Sequence, residues 1–188
     1  MKLDENGWCS DVTRLDSPNF DLRPEGISIE LIVIHNISLP PSEFGGDWID
    51  DLFMNRLDPA AHPYFETIHT FEVSSHFLIK RDGRVHQYVS CNDRAWHAGA
   101  SEWRGRTRCN DFAIGIELEG DDYSEFTEKQ YVVLKQLTSA LIKHYPTING
   151  VAGHSEIAPN RKTDPGEHFD WTRYEADAKI KPDWRVLT

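Results

Sequence analysis

The longest uninterrupted apolar run in the chain is Leu31-Ile-Val-Ile34. It is far shorter than the ~20 residues a membrane-crossing helix needs. Its β-branched character and turn-compatible flanks read instead as a buried strand over residues 30–35. A buried strand requires neighbours, and the chain supplies them. Residues 76–80 and 85–89 flank Arg81-Asp82-Gly83-Arg84 as a hairpin with an Asp-Gly turn. Along residues 113–119, Ile114, Ile116 and Leu118 share one face of a further strand, and Ala113, Gly115, Glu117 and Glu119 share the other. Residues 150–154 form a short strand ending in a histidine.

Helical signals fill the second half. Thr127-Glu-Lys-Gln130 is a capping-box pattern, followed by Tyr131, Leu134, Leu137, Leu141 and Tyr145 at helical spacing until Pro146. Residues 171–178 form a last short helix. Two long loops, 36–61 and 92–111, hold Trp48, Phe53, Trp96 and Trp103, too aromatic for simple disorder. The expected class is α/β (α+β): one sheet with helices packed on it, in a single domain over 1–188 with its core at about 8–171.

The formal net charge of −11 argues against nucleic acid or an anionic membrane as partner, while leaving room for a local cationic pocket. The first ten residues carry acids and no apolar segment of the kind a signal peptide has, and the three cysteines (Cys9, Cys91, Cys109) form no disulfide framework. A cytoplasmic location is the expectation.

Polar groups cluster where predicted strands end. His35 closes Leu31-Ile-Val-Ile34, His154 closes Val151-Ala-Gly153, and Asp164 sits in Lys162-Thr-Asp-Pro-Gly166. Two imidazoles, one carboxylate and an open fourth position suit a catalytic zinc ion. The two histidines stand 119 positions apart with no short-range ligand motif linking them, so each is equally open to a hydrogen-bonded structural role. Glu117 is a candidate general base beside the small Gly115, or simply the solvent-facing member of its strand.

Several motifs occur together in one order: Val33-Ile-His35-Asn36, Ser75-His-Phe-Leu-Ile79, Trp96-His-Ala-Gly99, Ile114-Gly-Ile-Glu117, Gly153-His154 and Arg161-Lys-Thr-Asp-Pro-Gly166. From about Trp8 to Trp171 the chain resembles the N-acetylmuramoyl-L-alanine amidases, a family that includes phage amidases and peptidoglycan recognition proteins. His35-Asn-Ile-Ser-Leu-Pro-Pro41, Glu43-Phe-Gly-Gly46, His62-Pro-Tyr-Phe65 and Arg108-Cys-Asn-Asp-Phe112 resemble in particular its cytoplasmic, AmpD-type 1,6-anhydro-muropeptide branch. The resemblance implies a central mixed β-sheet flanked by helices and one zinc ion per chain on His35, His154 and Asp164. It further implies Glu117 as acid–base residue, Lys162 as oxyanion partner, and an anhydromuropeptide substrate cut between the muramyl lactyl group and L-alanine.

Arg108 matches the family position associated with stem-peptide carboxylates, a natural task for a guanidinium. Trp96 and Tyr64 are candidate apolar walls, and Asn36 either bonds the sugar's acetamido group or shapes a turn. Arg104 and Arg106 are open between substrate binding and a solvated loop. Several relatives carry a basic residue just before the Val-Ser-x-His segment; Glu72 stands there instead, which bears on the preferred peptide length. The other histidines read as structural or exposed, with His76 and His97 the best placed to orient a ligand. Cys109 has no paired base and reads as packed. A binding-only receptor is the alternative function. Against it, every implied ligand and catalytic residue is present. The expected assembly state is a monomer.

Overall fold

Alternation along the buried strands decides the architecture, because a strand covered on both sides must satisfy two different layers. The computed structural model describes residues 1–185. In chain order its elements are β1 (Thr13–Arg14), β2 (Phe20–Leu22), β3 (Leu31–Ile37), α1 (Trp48–Phe53), α2 (Phe65–Ile68), β4 (Phe77–Ile79), β5 (Val85–Gln87), β6 (Asp93–Ala95), β7 (Glu102–Trp103), β8 (Arg106–Thr107), β9 (Ala113–Glu119), α3 (Glu128–His144), β10 (Gly150–Gly153), α4 (His154–Ile157) and α5 (Trp171–Ala178). Six strands form one mixed sheet in the order β1-β5-β4-β9-β3-β10, in which only the β4–β5 hairpin is antiparallel. This is the expected α+β class.

One face of the sheet presents Ile32, Ile34, Ile114, Ile116, Leu118 and Val151 to α3 and α5, whose Leu134, Leu137, Leu141 and Tyr174 complete the larger core. Each fully buried leucine there contributes about 1.5–3 kcal/mol. The capping box forms as expected: the Thr127 hydroxyl accepts from the Gln130 amide, and the Gln130 side chain accepts from the Thr127 amide. Gln130 also donates to the carbonyls of Ile79 and Glu119, which fastens the start of α3 to the ends of β4 and β9. Tyr145 leaves the helical conformation ahead of Pro146, since a residue before proline is pushed out of the α region.

The opposite face carries Leu31, Val33 and Ala113, covered by Trp103, Phe112 and Ala98, and farther along Leu78, covered by α1 and α2. Here the residues between the ends of the strands are partly polar, and the site lies among them.

Two expectations need correction. The strand predicted to stop at His35 runs on to Ile37, because Asn36 and Ile37 pair with Leu118 and Glu119 of β9. His35 therefore sits inside a strand, not at its end. The stretches expected to be long loops contain α1 within 36–61, and β6, β7, β8 and a 3-10 turn at Cys109–Asp111 within 92–111. These pieces are too short to show periodicity and are held by tertiary contacts. No helix among the described residues is long and apolar enough to cross a membrane.

Candidate functional site

Sheet register brings the predicted residues together. In the parallel β3–β9 pair His35 lies opposite Glu117, and Gly153 at the end of β10 lies opposite Ile34, so His154, the next residue, arrives beside His35. Asp164 comes from the loop after α4, whose carbonyl accepts from the Ser155 amide. The result is a triangle of ligand atoms: His35 Nδ1, His154 Nδ1 and Asp164 Oδ2 stand 3.0 Å from one another on every side.

Hydrogen bonds at the far sides of the rings settle which nitrogens carry protons. His154 Nε2 lies 3.1 Å from the Ala98 carbonyl, which can only accept, so Nε2 donates and Nδ1 is left with its lone pair facing the triangle. His76 accepts the Gly115 amide at Nδ1 and lies 3.2 Å from the Asp93 carbonyl at Nε2, so its proton is on Nε2. His35 Nε2 lies 3.0 Å from His97 Nδ1. With His35 Nδ1 turned to the triangle, Nε2–H donates to His97. The remaining His97 nitrogen, Nε2, is buried and without a partner.

Burial lowers His35 to about 4, so its imidazole is neutral near pH 7. Burial by itself raises the Asp164 carboxyl, but the adjoining His154 and His35 imidazoles outweigh it and hold the group well below the usual carboxylate range. The neutral His35 ring, the His154 ring and the ionised Asp164 carboxylate thus turn their ligand atoms toward one point. Nitrogen and oxygen ligands about 2.0–2.1 Å from a tetrahedral zinc ion stand roughly 3.3 Å from each other. The observed edges are close to that, and the donor set fits one borderline divalent cation better than a hard one.

Glu117 Oε1 is 4.0 Å from His35 Nδ1, and its Oε2 is buried without a hydrogen-bond partner. Burial, then the neighbouring Asp164 carboxylate, pushes its carboxyl well above the ordinary range, so it holds a proton readily. These groups open onto a cleft of about 400 Å³, lined also by Asn36, Tyr64, Trp96, His97 and Lys162, with Leu39, Leu52, Ile68 and Phe71 along the apolar side. Asn36 donates to Asp122, and the Trp96 indole donates to Asp21, so both are fixed before any ligand arrives. Tyr64 is 40% exposed at the rim, and the exposed Lys162 ammonium makes no ion pair among the described residues.

Arg108 does not line this cleft. Its side chain is 69% exposed and pairs with Asp111 at 3.2 Å. Arg106 pairs with Glu30 and lies over Phe112, while Arg104 lies over Trp103. Glu72 is exposed and outside the cleft lining. Cys109 is buried, and burial pushes its thiol up, which fits a packed residue.

Sequence reasoning did not single out Arg23. Its guanidinium donates to the carbonyls of Cys91, Asn110, Asp111 and Ala113 and touches His76 Nε2. Burial lowers it to about 10, so it stays cationic at neutral pH and pins the segments that carry Trp96 and His97. No local sequence signal marks such a role, since all its partners are remote along the chain.

Fold and site together define a class: an α+β protein with a mixed sheet on which a strand histidine, a histidine following a strand and a loop aspartate assemble a buried group able to hold a metal ion at the floor of a cleft. The chain belongs to the N-acetylmuramoyl-L-alanine amidase family, whose model matches residues 25–167. It is 56% identical over 177 residues to the 1,6-anhydro-N-acetylmuramyl-L-alanine amidase AmpD of Citrobacter freundii, covering 94% of each chain. A crystal structure of a selenomethionine derivative of AmpD superposes with a TM-score of 0.91 at 55% identity, covering 94% of this chain and 99% of that one. The Escherichia coli amidase AmiD, solved with the substrate anhydro-N-acetylmuramic acid-L-Ala-D-γ-Glu-L-Lys, is similar at 30% identity and a TM-score of 0.61, over 82% of this chain and 60% of that one.

Proposed function

We propose that this chain hydrolyses the amide bond between 1,6-anhydro-N-acetylmuramic acid and the L-alanine of muropeptides, as a single-domain, monomeric, zinc-dependent enzyme of cytoplasmic peptidoglycan recycling. The observation that carries the reading is the 3.0 Å triangle of His35, His154 and Asp164 with the unpartnered Glu117 oxygen beside it. The named activities of the similar proteins point the same way.

His35, His154 and Asp164 would hold the zinc ion. When bound, zinc supplies Lewis-acid chemistry, acidifying water and polarising a carbonyl oxygen. Glu117 takes the proton of the attacking water and passes it to the alanine nitrogen as the C–N bond breaks. The products are the lactyl carboxylic acid of the sugar and the free amine of the peptide. Lys162, an exposed ammonium at the cleft wall, offsets the negative charge that builds on the carbonyl oxygen, a role worth ~2.7–4 kcal/mol where such donors are removed. Asn36 offers its side-chain amide to the sugar's acetamido group, Trp96 and Tyr64 give apolar faces to the substrate, and Arg108 outside the cleft receives a distal peptide carboxylate.

The test pairs metal content with turnover of an anhydromuropeptide. Wild type should carry about one zinc and release peptide. Asp164→Ala should lose the metal, and Glu117→Gln should keep it while losing at least ~100-fold in kcat. A wild type that binds the muropeptide without cutting it would leave the receptor alternative standing.

A further inference from the structure

Arg161 lies outside the cleft lining, yet it bonds the same backbone carbonyl that holds ligand His154. The two hydrogens of its Nη2 go to two carbonyls, Ala98 at 2.7 Å and Ala100 at 2.6 Å. The turn between them is made by Gly99 at φ +58°, and a Cβ there would touch the guanidinium at 3.5 Å. The Ala98 carbonyl is the same one that accepts His154 Nε2–H at 3.1 Å. Both of its lone pairs are thereby used, one by the ligand histidine and one by the arginine. Ala98 also follows His97, the acceptor of the His35 Nε2–H. On its own strand of chain, Arg161 immediately precedes Lys162 and lies three residues before Asp164, in a segment whose amides at Arg161 and Lys162 both donate to the Ala158 carbonyl.

We propose that Arg161 is a positioning residue for the amidase reaction: a clamp joining the 97–100 turn, which orients both ligand histidines, to the segment that delivers Lys162 and Asp164. The physical reason is the planarity of the guanidinium, which holds the two hydrogens of Nη2 at fixed angles toward two carbonyls where a freely rotating ammonium would leave the Ala98 carbonyl free to turn. The arrangement is open on its outer side, where a groove lined by Ala100, Ser101, Thr107, Ala158 and Arg161 faces solvent. A small cation can therefore reach the vacated position in a truncated variant.

The inference rests on the proposed zinc amidase reading, so the test contains a measurement that needs no turnover. Zinc dissociation constants from chelator competition and kcat and KM on an anhydromuropeptide are compared for wild type, Arg161→Ala and Arg161→Lys. Loss of outer partners of this kind typically weakens metal binding or activity by ~10–100-fold. Arg161→Ala should show a loss of that size in zinc affinity and in kcat, with KM within about twofold. Guanidinium chloride at tens of millimolar should restore part of both, while equal sodium chloride and urea should not. Arg161→Lys, which keeps the charge and loses the planar donor pair, should fall between the two. Zinc affinity and kcat within twofold of wild type in both variants would overturn the clamp, as would a loss in Arg161→Ala that guanidinium fails to relieve and Arg161→Lys fails to lessen. Failure of the wild type itself to cut the substrate, with the zinc affinities still separating as expected, would count against the amidase reading and not against the clamp.

Discussion

The ring of His97 rests directly on Gly115, and its Nδ1 lies 3.0 Å from Nε2 of His35. A Cβ at position 115 would stand 2.6 Å from His97 Cγ, nearer than packed carbon atoms approach. The glycine in the middle of β9 is thus the space into which the partner of a metal-ligand histidine fits. Gly115→Ala should displace His97, take away the acceptor of the His35 Nε2–H and weaken zinc binding by ~10–100-fold. The accompanying overpacking should cost about 1–3 kcal/mol of stability. Chelator competition and urea unfolding read the two effects separately, and unchanged zinc affinity would show that His97 does not orient His35.

This relationship also marks how far the sequence could be read. The strands and the main helix were legible because their signals are local: the alternation of Ile114, Ile116 and Leu118, the capping box at Thr127 and Gln130, and the Asp-Gly turn at Gly83 all appear where expected. The edge of β3 was not, since Asn36 and Ile37 join the sheet through pairing with β9 and not through their own propensity. β1 and β2 expose most of their side chains and show no buried periodicity to find. Within the site, His35, His154 and Asp164 were named from strand ends and resemblance. The orientation of the rings depends on Ala98, His97 and Gly115, whose contacts cross 56, 62 and 18 residues of chain and leave no short-range trace. The same holds for Arg23, whose acceptors are all remote carbonyls.

Trp96 offers a prediction about binding alone. Its indole is held by Asp21, and it forms part of the cleft wall without approaching the ligand triangle through any hydrogen bond. Aromatic faces of this kind add about 0.5–1.5 kcal/mol beyond their buried area. Trp96→Ala should therefore raise KM for an anhydromuropeptide roughly tenfold while kcat changes little, the pattern of lost uniform binding. A fall in kcat at unchanged KM would instead place Trp96 in the alignment of the reacting bond.

Asp50 predicts a pH dependence of stability away from the site. Its carboxylate accepts from His86 Nδ1 at 2.8 Å and from the Tyr88 hydroxyl, and lies 3.4 Å from Lys80 Nζ. Burial alone would raise this carboxyl, but the hydrogen bonds from His86 and Tyr88 and the nearby charges outweigh it and hold the group below its ordinary value. A folded-state value below the unfolded one, about 3.9, means that the stabilisation is fully present above that pH and is lost as pH falls through the lower folded value. Asp50→Asn should cost about 3 kcal/mol at pH 7, because it leaves the buried Lys80 and His86 short of their partner. Urea unfolding at pH 7 and pH 3 should show the gap between variant and wild type narrowing at the lower pH. A gap that stays constant across that range would mean the carboxylate charge contributes nothing.

Removal of the metal is the broadest test of the triangle. Without a cation, His35 Nδ1 and His154 Nδ1 turn lone pairs toward the Asp164 carboxylate, each 3.0 Å away, and at least one proton must be redistributed to relieve them. A bound cation removes that conflict in the folded state only, so it stabilises by mass action, by ~2.7 kcal/mol when free zinc is at 100 times its dissociation constant. For a domain of 150–250 residues each kcal/mol moves Tm by about 2–4 °C. Chelation should therefore lower Tm by roughly 5–10 °C, and restored zinc should recover it. Magnesium should not, because two imidazole ligands disfavour a hard cation that demands oxygen. Asp164→Ala should melt at nearly the same temperature with and without zinc, since it lacks the anionic corner of the triangle. A wild-type Tm indifferent to zinc would mean that the three ligand atoms converge for another reason.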